Sequence, residues 1–116
     1  MNERDELIIS KMADYCLQVQ EAHLHFQDSR DLFFDKRKGS VYRNAVTMPI
    51  LQIGELAKHL SSGFVKTNHA IKWRDIIRMR DFFAHHYSAV DYEQVWDTSH
   101  NDVQELLAYL EQSING

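Results

Sequence analysis

The residues best suited to chemistry lie in one basic stretch in the second half of the chain. Residues 73–87 read WRDIIRMRDFFAHHY and contain three arginines, two adjacent histidines and a tyrosine. Arginine offers a planar fork of donors that matches phosphate oxygens, and histidine transfers protons near neutral pH because its ordinary pKa is about 6.5. These residue types suit phosphodiester cleavage without a metal, in which protons move at two oxygens while a cation offsets the charge growing on the phosphate.

The spacing of Arg80, His85 and Tyr87 decides which of them share a helix face. Arg80 and Tyr87 are seven residues apart and therefore lie on one face. Arg80 and His85 are five apart, which separates them by about 140° around a regular helix. We expect these two to converge only if the helix unwinds near His85, as its position near the helix end allows, or if a second copy of the chain contributes. Spacing alone favours a structural role, because basic residues also stabilise helix C-termini.

The order of several motifs resembles the HepT-type toxins of the HEPN superfamily. Arg80, His85 and Tyr87 reproduce the family pattern Arg-x4-His-x-Tyr. Four flanking segments also resemble the family: WRDIIRMR at 73–80, VDYEQVW at 90–96, RNAV at 43–46 and QIGEL at 52–56. The resemblance extends from about residue 5 to residue 110. The single motif is short, but the ordered set is specific.

The resemblance implies an all-α, HEPN-type, up-and-down bundle of four to five helices, with residues 1–116 as a single domain. It implies a homodimer with the motif at the subunit interface, and metal-independent RNA cleavage by attack of the 2′-hydroxyl on the neighbouring phosphate. Arg80 and His85 would be catalytic, and no cofactor is expected. It also implies a cognate minimal nucleotidyltransferase antitoxin, which in some pairs adenylylates the motif tyrosine, here Tyr87.

One residue departs from the family pattern, and one other function is open. Asp81 stands where asparagine commonly follows the motif arginine, and its carboxylate is expected to compete for the charge of Arg80. Arg78, Asp81 and His86 are expected to support the site or bind RNA, although His86 is as consistent with a solvent-facing neighbour. The alternative function is a non-enzymatic substrate-binding or regulatory subunit of a nucleotidyltransferase. That subunit needs only an exposed basic patch, whereas an enzyme needs Arg80 and His85 in one cleft.

No metal site is expected from the sequence. His23 and His25 are two residues apart on one helix and point to different faces. The chain has neither a His-Glu-x-x-His motif nor a pair of cysteines. The single cysteine, Cys16, is expected to be a core residue, and a lone cysteine is consistent with a reducing compartment.

The elements that position the basic stretch are predicted from apolar spacing and breaking residues. We expect helices over 3–26, from 28 or 29 to 34, over 40–60, over 72–84 and from 91 onward. Gly39 is expected as a left-handed cap, Ser40 as the cap of the third helix and Pro49 as its kink. The expected inner face of that helix comprises Val41, Ala45, Met48, Ile53, Leu56 and Leu60. Trp73, Phe82 and Phe83 are expected in the core, and Gly54 at a helix contact.

Composition limits the partners and the compartment. The chain carries 13 basic and 17 acidic residues, a net charge of −4, which argues against a general nucleic-acid coat but not against a local basic patch. The charged N-terminus does not resemble a signal peptide, and no stretch approaches the roughly 18 apolar residues of a membrane span. We therefore expect a cytosolic protein.

Overall fold

The computed structural model describes residues 1–115, apart from the side chains of Tyr87 and Asn115. Over that range the chain forms seven α-helices, one 3-10 turn at Tyr87–Ala89 and no strand. The helices are α1 Glu3–His25, α2 Arg30–Phe34, α3 Ser40–Ala57, α4 Ser62–Thr67, α5 Trp73–His85, α6 Tyr92–His100 and α7 Asp102–Asn115. The predicted all-α bundle is confirmed. None of these helices is long and apolar enough to cross a membrane.

Helix α1 is the centre of the bundle and packs mainly against α3 and α7. It starts at Asn2, whose side chain accepts a hydrogen bond from the backbone N–H of Asp5 at 2.7 Å. Its apolar stripe, spaced by three and four residues, is buried at Ile8, Met12 and Val19. Cys16 is also fully buried, and desolvation raises the pKa of its thiol to about 12, which confirms it as a core residue.

Helix α3 buries a different face from the one predicted. Val41 and Met48 are 67% and 50% exposed, whereas the buried residues are Tyr42, Val46, Thr47, Pro49, Ile50, Ile53, Gly54 and Ala57. The predicted inner face was therefore wrong at its N-terminal half. Apolar residues occur on every side of this helix, so periodicity offers two stripes. The structure buries the stripe that lets the hydroxyl of Tyr42 reach His23 on α1.

The connection from α2 to α3 also differs from the prediction. Gly39 has a φ of −86°, so it is not a left-handed cap. It is needed for space, because a Cβ there would collide with the carbonyl oxygens of Leu32 and Asp35. Ser40 is the first residue of α3 rather than its cap, and α3 ends at Ala57 rather than at residue 60. The left-handed residues lie earlier, at Gln27 and Asp28, with φ of 59° and 52°.

The last predicted helix is divided in two at Asn101. Asp91 caps α6 as expected, and its carboxylate accepts hydrogen bonds from the backbone N–H groups of Glu93 and Gln94. The division falls at Asn101 and Asp102, residue types with low helix propensity. One face is nevertheless buried along both helices, at Val95, Ser99, Val103, Leu106 and Leu110. The division leaves His100 at the end of α6.

Candidate catalytic site

The basic stretch forms α5 and the turn that follows it. Helix α5 remains regular through His85, and unwinding begins only at His86, where φ is −131°. The backbone N–H of His86 still donates to the carbonyl of Phe82 at 2.8 Å, which satisfies the last turn. An unwound turn before His85 was therefore not found, and Arg80 and His85 stay about 140° apart around the helix. One chain alone does not bring them together by unwinding.

Arg80 lies against α3, at a point where the two helices approach closely. A Cβ built on Gly54 would collide with the Cβ of Arg80, so only glycine fits at this contact. This confirms the packing role predicted for Gly54. The side chain of Arg80 is 29% exposed, which leaves its guanidinium accessible at the edge of the contact.

Ion pairs with carboxylates of two helices hold the guanidinium of Arg80. Its Nη2 lies 3.1 Å from Oε2 of Glu55, and its Nη1 donates to Oδ1 of Asp81 at 3.1 Å. Nζ of Lys58 lies 2.6 Å from the same Asp81 oxygen. Lys58 and then Arg80 hold the pKa of the Asp81 carboxyl below its usual range. The expected competition by Asp81 thus exists, but that carboxylate is shared with Lys58.

Sequence reasoning missed Glu55 and Lys58. Both lie on α3, three residues apart and therefore on one face, directly after the glycine that admits Arg80. Oε2 of Glu55 is buried and meets Arg80 as an ion pair without good hydrogen-bond alignment. The motif segment QIGEL at 52–56 was the available signal, because a carboxylate beside a helix-packing glycine is placed to meet a neighbouring helix.

The outward face of α5 carries basic groups that are not engaged. Arg74, Arg78 and His85 share this face by their spacing of four and seven residues, and all three are exposed. None of the three forms a hydrogen bond or an ion pair with another described side chain. Phe82 is 46% exposed, so its predicted burial was wrong, whereas Trp73 and Phe83 are buried as expected.

Two further predicted residues lie just beyond this face. The ring of His86 packs on that of Phe82 with centroids 4.8 Å apart. The backbone of Tyr87 opens the 3-10 turn, and its side chain lies outside the described part of the structure. Helix α5 therefore has an inward side with Arg80 and an outward side with Arg78, Phe82 and His85.

Comparison with known proteins decides the family. The family model described as "Ribonuclease HepT-like" matches residues 7–113. The chain belongs to the ribonuclease HepT-like family. That match includes the whole of α5 and the α3 segment that holds Arg80, so both sides of the candidate site lie within the HepT-like region.

Individual relatives of this HepT-like chain carry ribonuclease names. "Putative RNase MJ0127" of Methanocaldococcus jannaschii is 31% identical over 87 residues, which are 74% of this chain and 72% of the relative. "Putative RNase TTE0752" of Caldanaerobacter subterraneus is 28% identical over 71% of this chain and 81% of the relative. "Probable ribonuclease HepT" of Thermococcus cleftensis is 36% identical over 53% and 56%. No solved structure matches the chain significantly.

Proposed function

We propose that this chain is a metal-independent endoribonuclease, with Arg80 and His85 as its catalytic pair. The observation that carries the proposal is that the outward face of α5 presents exposed basic groups in a chain of a ribonuclease family. There His85 is exposed beside Arg78, and neither has a partner among the described side chains. A proton-transfer group must be free to reach its substrate, and a neighbouring guanidinium can bind a phosphate.

The proposed reaction is a transesterification of RNA. The 2′-hydroxyl attacks the adjacent phosphorus, the bond to the 5′-oxygen breaks, and the products are a 2′,3′-cyclic phosphate and a 5′-hydroxyl. One proton leaves the 2′-oxygen and one reaches the 5′-oxygen, which are the two transfers a histidine can make. Arg80 stabilises the added negative charge on the phosphate. Arg78, Asp81 and His86 support the site or bind RNA.

A two-fold homodimer would complete this site. Because α5 is regular through His85, Arg80 and His85 of one chain point in different directions. A second copy placed against the outward face would add a second histidine and arginine, and the exposed ring of Phe82 offers apolar surface there. Sedimentation at micromolar concentration should give the dimer mass, and a monomer alone would contradict this assembly.

The proposed biological setting is a cytosolic toxin–antitoxin pair. A cognate minimal nucleotidyltransferase would transfer AMP from ATP to the hydroxyl of Tyr87 and release pyrophosphate. The added phosphate charge, two residues after His85, would exclude RNA electrostatically and sterically. Mass spectrometry after incubation with the transferase and ATP should find AMP on Tyr87. Equal labelling of Tyr87→Phe would place the modification elsewhere.

A second candidate function is a docking subunit for a nucleotidyltransferase. The ion network favours it, because both sides of the Arg80 guanidinium already meet carboxylates. An exposed patch with Arg74 and Arg78 would be enough for docking.

The deciding experiment compares His85→Ala with His25→Ala on a structured RNA. His85→Ala should lose at least about 100-fold in cleavage rate, since that is the usual minimum effect of removing an acid–base group. His25 is exposed on α1, so its variant is the matched control and should cleave like the parent. EDTA should not inhibit, and the products should end in 2′,3′-cyclic phosphate. If folded His85→Ala cleaves as fast as the parent, the docking subunit is the better function.

A further inference from the structure

A second histidine cluster lies outside the family motif. It brings together His23 of α1, Asp28 of the following turn and His100 at the end of α6. One nitrogen or oxygen from each lies within 4.8 Å of the others. Oδ1 of Asp28 is 3.6 Å from Nδ1 of His23 and 2.6 Å from Nε2 of His100. His23 therefore lies beside His100, 77 positions away in the chain, rather than beside its near neighbour His25.

The outer hydrogen bonds of the two rings fix their tautomers. Nδ1 of His100 lies 2.8 Å from the carbonyl oxygen of Trp96, which can only accept, so this nitrogen carries the hydrogen. Nε2 of His23 lies 2.8 Å from Oγ of Ser99, whose own hydrogen goes to the same carbonyl at 2.8 Å. The serine oxygen therefore accepts from Nε2 of His23. Wherever a ring is neutral, its inner nitrogen therefore has a lone pair.

Three acceptors consequently converge on one point. They are Nδ1 of His23, Nε2 of His100 and the carboxylate of Asp28. The hydroxyl of Tyr42, 2.5 Å from Nδ1 of His23, donates to that nitrogen only. At the contact between Asp28 and His100, two hydrogen-bond acceptors face one another, and the contact is favourable only with a positive charge between them.

We propose that His23, Asp28 and His100 bind a divalent metal ion of the zinc class. Two imidazoles and one carboxylate are a common ligand set for such ions when water completes the coordination. The bonds from the rings to Ser99 and to the carbonyl of Trp96 are the outer contacts that orient metal-binding histidines. The ion would join α1 and its turn to α6, and it would take no part in the RNA chemistry proposed for α5.

The cluster can bind a metal after small movements of the side chains of Asp28, His100 and Tyr42. Tetrahedral zinc with bonds of about 2.0–2.1 Å separates its ligands by about 3.3 Å. The 3.6 Å separation of His23 and Asp28 is close to this value, whereas Asp28 and His100 must move apart. Asp28 can move because its side chain is 61% exposed. Tyr42 must also release Nδ1 of His23, so its hydroxyl competes with the ion.

The test is a titration of tag-free, EDTA-treated and dialysed protein with zinc chloride, followed by calorimetry and thermal melting. We expect one ion per chain and a rise in Tm, because an ion that binds only the folded state stabilises it. Asp28→Asn and His100→Gln should each weaken binding at least tenfold. His25→Gln, an exposed histidine two residues from His23, should bind like the parent.

Two outcomes would overturn the proposal, and one further variant tests whether the ion binds at His23. Failure to bind zinc at 1:1 stoichiometry would do so. Unchanged affinity in both Asp28→Asn and His100→Gln would place the ion elsewhere. Tyr42→Phe removes the competing donor at His23 and should bind zinc more tightly, whereas a purely structural cluster predicts no gain in affinity.

Discussion

The two histidine regions of this protein differ in how their polar groups are satisfied. At the end of α5, His85 is exposed and engages no described side chain. In the cluster of His23, Asp28 and His100, each histidine nitrogen has a protein partner within 3 Å. A surface group without a partner is available to a substrate, whereas polar groups that contact one another across two helices connect those helices. The difference suggests that the α5 region acts on an external molecule and that the cluster acts on the fold.

The largest expected effect tests the α5 region through Arg80. Arg80→Ala should lower kcat/KM for RNA by about 10²–10³, as loss of a preorganised charge-stabilising group does. Arg80→Lys should recover little of that loss, because a point charge cannot reproduce the guanidinium fork. Steady-state cleavage assays measure the effect, and circular dichroism checks the fold. Full activity in Arg80→Lys would show that only the charge matters.

The next effect tests the cluster through pH. The pKa of His23 falls from an ordinary 6.5 to about 4 in the folded state, so the folded protein disfavours its protonation. The stability linked to His23 is therefore complete above pH 6.5 and is lost as the pH falls from 6.5 to about 4, by up to about 3 kcal/mol. The groups that face this ring are Asp28, His100, Tyr42 and Ser99. Urea unfolding in EDTA at successive pH values measures it.

The control for this pH effect is His23→Gln, which cannot gain a proton in this range. Its free energy of unfolding should change less than that of the parent between pH 6.5 and 4. Parallel pH curves for the two proteins would mean that other groups cause the acid loss.

A smaller effect concerns the ion network around Arg80. Asp81→Asn removes one carboxylate that competes with phosphate, and the amide can still accept from Arg80. An ion pair that water reaches contributes little, so kcat/KM should rise by no more than about fivefold. The same assay measures this change. A fall in activity would indicate instead that Asp81 orients Arg80.

The smallest effect separates the two adjacent histidines. His86→Ala removes a ring that packs on Phe82 at the surface, and the cleavage rate should stay within about threefold of the parent. His85→Ala under the same conditions provides the contrast. If both variants lose activity equally, the catalytic role is not specific to His85.

The two regions were also unequally predictable from the sequence. The α5 stretch is continuous, so its helix, its basic residues and its family motif could be identified directly. The cluster depends on a contact between His23 and His100, and no local pattern joins residues that far apart. The contact of Glu55 with Arg80 could not be predicted for the same reason, because the two residues lie on different helices. The face of α3 was mispredicted because an evenly apolar helix leaves the choice of face to its neighbours, here to the hydroxyl bond of Tyr42.

The close contact between Gly54 and Arg80 has a genetic consequence. Any other side chain at this position would push α3 away from Arg80, although glycine itself has no group that can take part in a reaction. If the chain is a toxin, cells that escape its effect should carry substitutions at Gly54 as well as at Arg80 and His85. A selection for surviving cells would therefore recover inactivating substitutions at Gly54, which could not be identified from its own side chain.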